Sequence, residues 1–303
     1  VGLLTGFTTI LAVIAAGIAL AHAGVLDARS QRSLGEIAFF VASPALMIVT
    51  IGEVEVAGAG ANLAASAVSL AVAFGAYAVL ARWRWHHDVA TTVIGALASS
   101  YVNAGNLGIA IAAYVVGDVT VVVPTLLVQM LVVQPLALAV LDRQTGRGSG
   151  ARAVVRRLAT NPLTLAALLG VVLAATGWRL PEVVDQPVRL IAGAAIPLML
   201  ISYGAALRLS PLPGRAGANR EVATIAVLKL AVMPLVAWAV GVALGLADTV
   251  LLGVVLTAAL PTAQNIFLHA TRYDAGTHVA REGILLTTLC SLPVALLVAV
   301  LLG

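Results

Sequence analysis

Asn103-Ala104-Gly105-Asn106-Leu107-Gly108 lies in the middle of a long apolar segment, Val89 to Val116. Two asparagines and two glycines within six residues do not suit a lipid-facing helix. Glycine is a poor helix former, and an unpaired amide is costly in hydrocarbon. A break of this kind is tolerated where it lines a cavity inside a protein. The second half of the chain carries a counterpart, Leu260-Pro261-Thr262-Ala263-Gln264-Asn265, within Asp248 to Arg272. Two such interrupted segments read as the working site of a transporter.

Composition agrees with a membrane setting. Of 303 residues, 61% are hydrophobic and 10% charged, and the mean hydropathy is +1.06. A soluble domain carries about 25% charged residues. The net charge of +4 does not point to nucleic acid, because the basic residues sit in short loops between apolar segments. Cys290 is the only cysteine, so an intramolecular disulfide and a cysteine metal cluster are excluded, and the thiol reads as packed and inert. No cofactor or metal is implied. Val1 to Ala23 lacks a basic leading region and reads as a first span rather than a cleaved leader.

Ten apolar stretches of about 20 residues can be drawn, the length a bilayer requires. They run near 3–23, 34–51, 61–81, 89–116, 120–141, 161–177, 187–207, 221–246, 248–272 and 281–302. The fold class expected is an all-α integral membrane protein with ten transmembrane helices. Loops after the odd-numbered spans hold 14 Lys or Arg, and those after the even-numbered spans hold 2. Lys229 lies inside a span. Positive loops face the cytoplasm, so both termini are expected on the outer side of the cytoplasmic membrane. Asp142 to Arg157 is the longest linker, rich in Arg and Gly, and reads as a flexible loop.

The halves resemble each other. Gln134-Pro135-Leu136-Ala137-Leu138 reads like Leu292-Pro293-Val294-Ala295-Leu296, and Pro44-Ala45-Leu46-Met47 like Pro197-Leu198-Met199. Ala67-Val68-Ser69-Leu70-Ala71-Val72 reads like Leu228-Lys229-Leu230-Ala231-Val232, and Asn106 and Tyr114 share the spacing of Asn265 and Tyr273. These matches keep their order, with offsets of 153 to 160 residues. Five spans per half make the second repeat, 161–303, enter the membrane inverted relative to the first, 1–141, with 142–160 as the cytoplasmic loop between them. Inverted repeats with broken helices at matching positions are a transporter signature.

Chemistry is expected at the breaks. A helix that resumes in mid-membrane exposes unpaired N–H groups and about half a positive charge, which suits a carboxylate. A helix that ends there exposes carbonyls, which suit a cation. Asn103, Gly105, Asn106, Pro261, Thr262, Gln264 and Asn265 therefore line the expected substrate site, whether they cap the breaks or touch solute. Pro44 and Pro197 fall in mid-span; they either kink their helices or bend them around the crossing, which would bring Ser43, Thr50, Ser202 and Tyr203 near the site. Lys229 is the only lysine; it either snorkels to the interface or serves the site by attracting a carboxylate or replacing a coupling cation. His269 can relay protons or pack through hydrogen bonds, and Gln129 and Gln134 can join helices or reach the site. Ser33-Leu34-Gly35-Glu36 reads as a capping box starting span 2. Arg82, Arg84, His86 and His87 read as a juxtamembrane cluster that meets lipid headgroups.

Tyr101 to Ala112, YVNAGNLGIAIA, resembles the NxGNLGIPI stretch of the auxin efflux carrier family, and Ala259 to Tyr273, ALPTAQNIFLHATRY, resembles that family's span 9 motif. Pro44 and Lys229 with Pro234 also fit, so the resemblance covers the whole chain. That family includes the plant PIN-FORMED proteins and bacterial carriers of organic acids such as malate and malonate. The resemblance implies two inverted five-helix repeats as in the bile-acid symporter and sodium/proton antiporter fold. It implies a scaffold from helices 1, 2, 6 and 7 and a transport domain from helices 3–5 and 8–10, with broken helices 4 and 9 crossing beside the site. It also implies elevator-type motion and a homodimer. Ala110 stands where the family carries proline, while Gly105 and Gly108 keep a break expected.

The expected function is secondary transport of a small organic anion, with Asn106 and Asn265 holding the carboxylate. Lys229, His269 and Gln134 are candidates for proton or ion coupling. The expected partners are the anion, the lipid bilayer and a second copy of the chain. A sodium-coupled, bile-acid-like symporter of the same fold is the alternative. An enzyme is not expected, since HExxH, DDxxD and paired buried acids are absent from the sequence. A retinal pigment on Lys229 is disfavoured by ten spans and 5% aromatics.

Overall fold

The computed structural model describes residues 2–52, 59–144, 160, 162–209 and 219–303. Among them the chain is all-helical, apart from turns and one isolated antiparallel bridge between Val102 and Thr262. Residues 145–159 of the expected cytoplasmic loop lie outside the described residues.

The helices are α1 (Gly2–His22), α2 (Ala28–Gly52), α3 (Ala59–Trp83), α4 (Val89–Ser100), α5 (104–116), α6 (Val119–Gln144), α7 (Pro162–Thr176) and α8 (Glu182–Leu209). They continue with α9 (219–243), α10 (Asp248–Ala258), α11 (Asn265–Tyr273) and α12 (Thr277–Leu302). Seven described helices (α1–α3, α6, α8, α9 and α12) are long and apolar enough to cross a membrane, and α4, α7 and α10 are shorter apolar helices. Both expected interruptions are present. The apolar segment from Val89 divides into α4 and α5, and the one from Asp248 divides into α10 and α11.

Prolines shape three of the long helices. A proline lacks an N–H, and its ring clashes with the carbonyl one turn back. In α2, α6 and α9 the chain widens into a π-helical turn just before it: Ala38–Ala42 before Pro44, Val128–Val133 before Pro135, and Leu228–Val232 before Pro234. Pro197 behaves differently from Pro44, since α8 runs through it as an uninterrupted α-helix. Another difference concerns the start of α2. The helix begins at Ala28, where Asp27 accepts from the Ser30 amide at 2.7 Å and the Ser30 hydroxyl at 2.8 Å. Ser33 and Glu36 are exposed positions inside that helix rather than its cap. Hydropathy hides this start because Ala28–Ile37 is polar.

The chain forms two compact units. The first contains α1, α2, nearly all of α5, α7 and α8. Here α1 lies along α8 at backbone contact: a Cβ at Gly17 would collide with the Ile201 carbonyl, and one at Gly204 with the Ile14 carbonyl. Between membrane helices, close approach over small residues supplies the packing that a hydrophobic driving force supplies in water. The second unit contains α3, α4, α6 and α9–α12. Its core gathers Tyr77, Ile94, Leu97, Leu141, Ile225, Ile266 and Tyr273. Exposed apolar side chains such as Leu190, Leu235 and Val300 are those expected of helices facing lipid.

Candidate functional site

The second unit carries the crossing of the two interrupted segments. α4 stops at Ser100, and Tyr101 turns extended (φ −78°, ψ 108°). α10 stops at Ala258, and Pro261 is suited to the gap because it brings no N–H that needs a partner. The two short stretches then run antiparallel. The Asn103 amide donates to the Pro261 carbonyl at 2.8 Å, and the Ala263 amide donates to the Tyr101 carbonyl at 3.1 Å.

Unpaired backbone groups are costly at membrane depth, and side chains account for others here. Gln129 of α6 serves as a strand edge for Val102: its Oε1 accepts from the Val102 amide, and its Nε2 donates to the Val102 carbonyl at 3.2 Å. Thr287 of α12 accepts from the Thr262 amide at 3.1 Å. The Thr262 hydroxyl donates to the Ala98 carbonyl. Lys229 of α9 donates from Nζ to the Ser100 carbonyl at 2.9 Å. Gln129 and Lys229 both sit in π-helical turns that precede prolines. The local strain relief required by Pro135 and Pro234 thus coincides with the residues that reach the first break, a frequent use of π-turns.

Two side-chain atoms at this crossing stay buried without a partner, Nδ2 of Asn103 and Oδ1 of Asn265. Asn103 is 4% exposed. Asn265 is half-buried and also hydrogen-bonds the Tyr101 hydroxyl, which donates to Gln134 Oε1 at 2.9 Å. Buried polar atoms are normally paired, so these two amide atoms are unusual features of the crossing. The α11 N-terminus begins at Asn265, where about half a positive charge is expected.

Of the residues anticipated from sequence, the second unit brings together Asn103, Pro261, Thr262, Asn265, Gln134 and Lys229. Thr262 is fully buried, its hydroxyl and amide both engaged by protein. Gln264 is exposed at the N-cap of α11 and makes no capping bond there. His269 is half-buried one turn further on. Lys229 does not snorkel: it is 0% exposed. Gly105 and Asn106 belong to the first unit, in the opening π-helical turn of α5. The side chain of Asn106 lies outside the described residues. Ser43 and Pro44 also belong to the first unit, where the Ser43 hydroxyl donates to the Ala38 carbonyl at 2.7 Å. Gln31 donates to Ser202 at 3.0 Å in the same unit. The break itself spans Tyr101 to Asn103 and precedes both glycines. Thr287 and Tyr101 are members of the site that sequence reasoning missed. Thr287 sits in a Thr-Thr pair without any distinguishing pattern, whereas Tyr101 adjoins the motif. Among the described residues no cluster of His, Cys, Asp and Glu could hold a metal.

An all-helical chain with several apolar spans and a polar crossing between interrupted helices has the features of a multi-pass membrane transporter. The profile of a family described as membrane transport protein matches residues 148–299. Auxin efflux carrier component 3a of Oryza sativa subsp. japonica is 31% identical over 154 residues, covering 50% of this chain and 25% of that protein. Auxin efflux carrier component 4 of Arabidopsis thaliana is 28% identical over 155 residues (50% and 25%), and component 8 is 27% identical over 145 residues (46% and 39%). The chain belongs to the auxin efflux carrier family of membrane transport proteins, which is a family of transporters and not of enzymes. The matched region spans between a quarter and two-fifths of the length of these relatives.

Proposed function

We propose that this protein is a secondary transporter of a small organic anion, a carboxylate such as malate, malonate or an auxin-like acid, working by alternating access. The observation that carries this reading is the antiparallel crossing of Tyr101–Asn103 with Pro261–Ala263, flanked by the unpartnered amide atoms of Asn103 and Asn265. The α11 N-terminus and the buried Lys229 supply positive potential beside it, which favours an anion over a cation. Asn103 and Asn265 hold the carboxylate.

The wider architecture belongs to the same proposal. Counting α4 with α5 and α10 with α11 as single interrupted spans gives ten, in two inverted five-helix repeats over 1–141 and 161–303. The grouping of α1, α2, α7 and α8 in one unit, joined there by nearly all of α5, and of α3, α4, α6 and α9–α12 in the other, supports a scaffold and a moving transport domain. The chain would then work as an elevator in the cytoplasmic membrane, as a homodimer, with both termini on the outer side. No observation favours the sodium-coupled bile-acid-like alternative.

The test is substrate-induced current or labelled-solute uptake in proteoliposomes, with malate, malonate, other short carboxylates and indole-3-acetate offered in turn. The expected result is saturable transport of at least one acid, reduced about tenfold or more in Asn103→Ala while the protein keeps its melting temperature. Inserted, folded protein that moves none of the acids would remove the anion reading.

A further inference from the structure

Tyr101 decides which way the Asn265 side chain faces. A tyrosine hydroxyl has one proton to give. That of Tyr101 goes to Gln134 Oε1 at 2.9 Å. The Tyr101 oxygen is left as an acceptor, so the bond it shares with the Asn265 side chain comes from Asn265 Nδ2. The carbonyl end of that amide is thereby turned away from Tyr101. It is this atom, Oδ1, that stays buried without a protein partner. On the opposite segment of the crossing the unpartnered atom is Nδ2 of Asn103.

The two atoms have opposite characters, one a donor and the other an acceptor. Both belong to the same bridge: Asn103 adjoins Val102, and Asn265 opens α11 three residues after Thr262. A carboxylate has acceptors only. It satisfies Asn103 Nδ2 and suits the positive end of α11, but it sets its lone pairs against Asn265 Oδ1. A hydroxyl beside the carboxylate supplies the missing proton. A buried acceptor left unpaired is costly, so a site of this kind separates a hydroxy acid from its deoxy analogue more sharply than an apolar pocket does.

We propose that the chain Gln134–Tyr101–Asn265 sets substrate selectivity, so that the crossing takes an acid bearing a hydroxyl next to its carboxylate in preference to the same acid without it. This rests on the anion-transport reading above and narrows it. The carboxylate accepts from Asn103 Nδ2, and the hydroxyl donates to Asn265 Oδ1. Tyr101 and Gln134 are positioning residues that act through the Asn265 amide. α6 thus supports the first break through Gln129 and orients the amide beyond the second through Gln134.

The test compares uptake of labelled malate with succinate, and of tartronate with malonate, by the full chain in proteoliposomes near neutral pH. Within each pair the charge is the same and only the hydroxyl differs. Wild type should favour the hydroxy acid by about tenfold or more in kcat/KM. In Gln134→Leu the Tyr101 proton is released to Asn265 Oδ1, and the amide turns to present Nδ2. In Tyr101→Phe nothing fixes the amide. Both variants should bring the ratio to about threefold or less, the deoxy acids gaining as the hydroxy acids lose. A structural role alone would lower all four rates together and leave the ratio as it was, and that result overturns the proposal. Equal wild-type rates within each pair overturn it too, and this measurement stands even where a variant proves unstable. Succinate uptake that matches malate and climbs steeply on acidification would assign the donor to a carboxyl proton and overturn the hydroxyl. In these cases the anion reading survives. Failure of all four acids removes that reading for them and the proposal with it.

Discussion

The two breaks perform the same task with different means. The first, at Tyr101–Asn103, is held by long side chains reaching from other helices, Gln129 from α6 and Lys229 from α9. The second, at Ala259–Gln264, is held by short groups, the Thr287 hydroxyl and nearby backbone amides, with Pro261 removing one donor from the problem. Beyond the first break α5 alternates π, α and π turns, whereas α11 beyond the second is a regular α-helix. The first break therefore depends more on tertiary partners, and the second is written more locally.

That contrast can be broken by substitution. Gln129→Leu should be the most damaging of the supporting changes, since it strands both the amide and the carbonyl of Val102 in a buried site. Each stranded group costs about 1–3 kcal/mol, so the melting temperature in detergent should fall by several degrees and uptake should fall with it. Thr287→Val strands only the Thr262 amide, and its cost should be about 1–2 kcal/mol. Equal destabilisation by the two variants would contradict the asymmetry. Asp88→Ala should have the smallest effect. Asp88 caps α4 by accepting from the Thr91 amide at 2.9 Å and the Thr91 hydroxyl at 2.7 Å, whereas Ala247 offers α10 no such cap. Burial raises the Asp88 carboxyl, but the bonds from Thr91 outweigh it and hold the group below its ordinary 3.8. Its contribution is accordingly present above pH 3.8 and lost as the pH falls through the lower folded value. The cap is largely solvent-exposed, so its removal should cost about 1 kcal/mol or less, read from melting at neutral pH.

The existence and approximate places of both breaks were legible in the sequence, because asparagine and glycine in an apolar run conflict with a lipid-facing helix. The exact residues were not. Gly105 and Gly108 suggested where the chain is free to bend, but the bend falls where Gln129, Lys229 and the opposite segment can pair the freed backbone, and these are three-dimensional facts. For the same reason Ala110 has no bearing on where the break begins: it lies buried in α5, after the helix has resumed. Lys229 could be located but not oriented, since snorkelling and inward burial differ only by rotation of α9. Thr287 carried no signal, because a threonine in an apolar helix normally bonds its own backbone, as Thr287 also does to Gly283 at 2.8 Å. The start of α2 was misread because Ser33 and Glu36 have the spacing of a capping box, while the cap that forms is Asp27 with Ser30.

The most direct test of the central claim, that the two breaks form a single anion site, is a double-mutant cycle on uptake. Asn103→Ala, Asn265→Ala and the double variant would be measured in proteoliposomes with the best of the tested acids, alongside their melting temperatures. Asn103 Nδ2 and Asn265 Oδ1 have no protein partner, so the single variants should lower uptake about tenfold with little change in melting. If both hold one anion, the losses should be non-additive, with a coupling of about 1–2 kcal/mol. Fully additive losses, or losses that merely follow falling stability, would contradict a shared site.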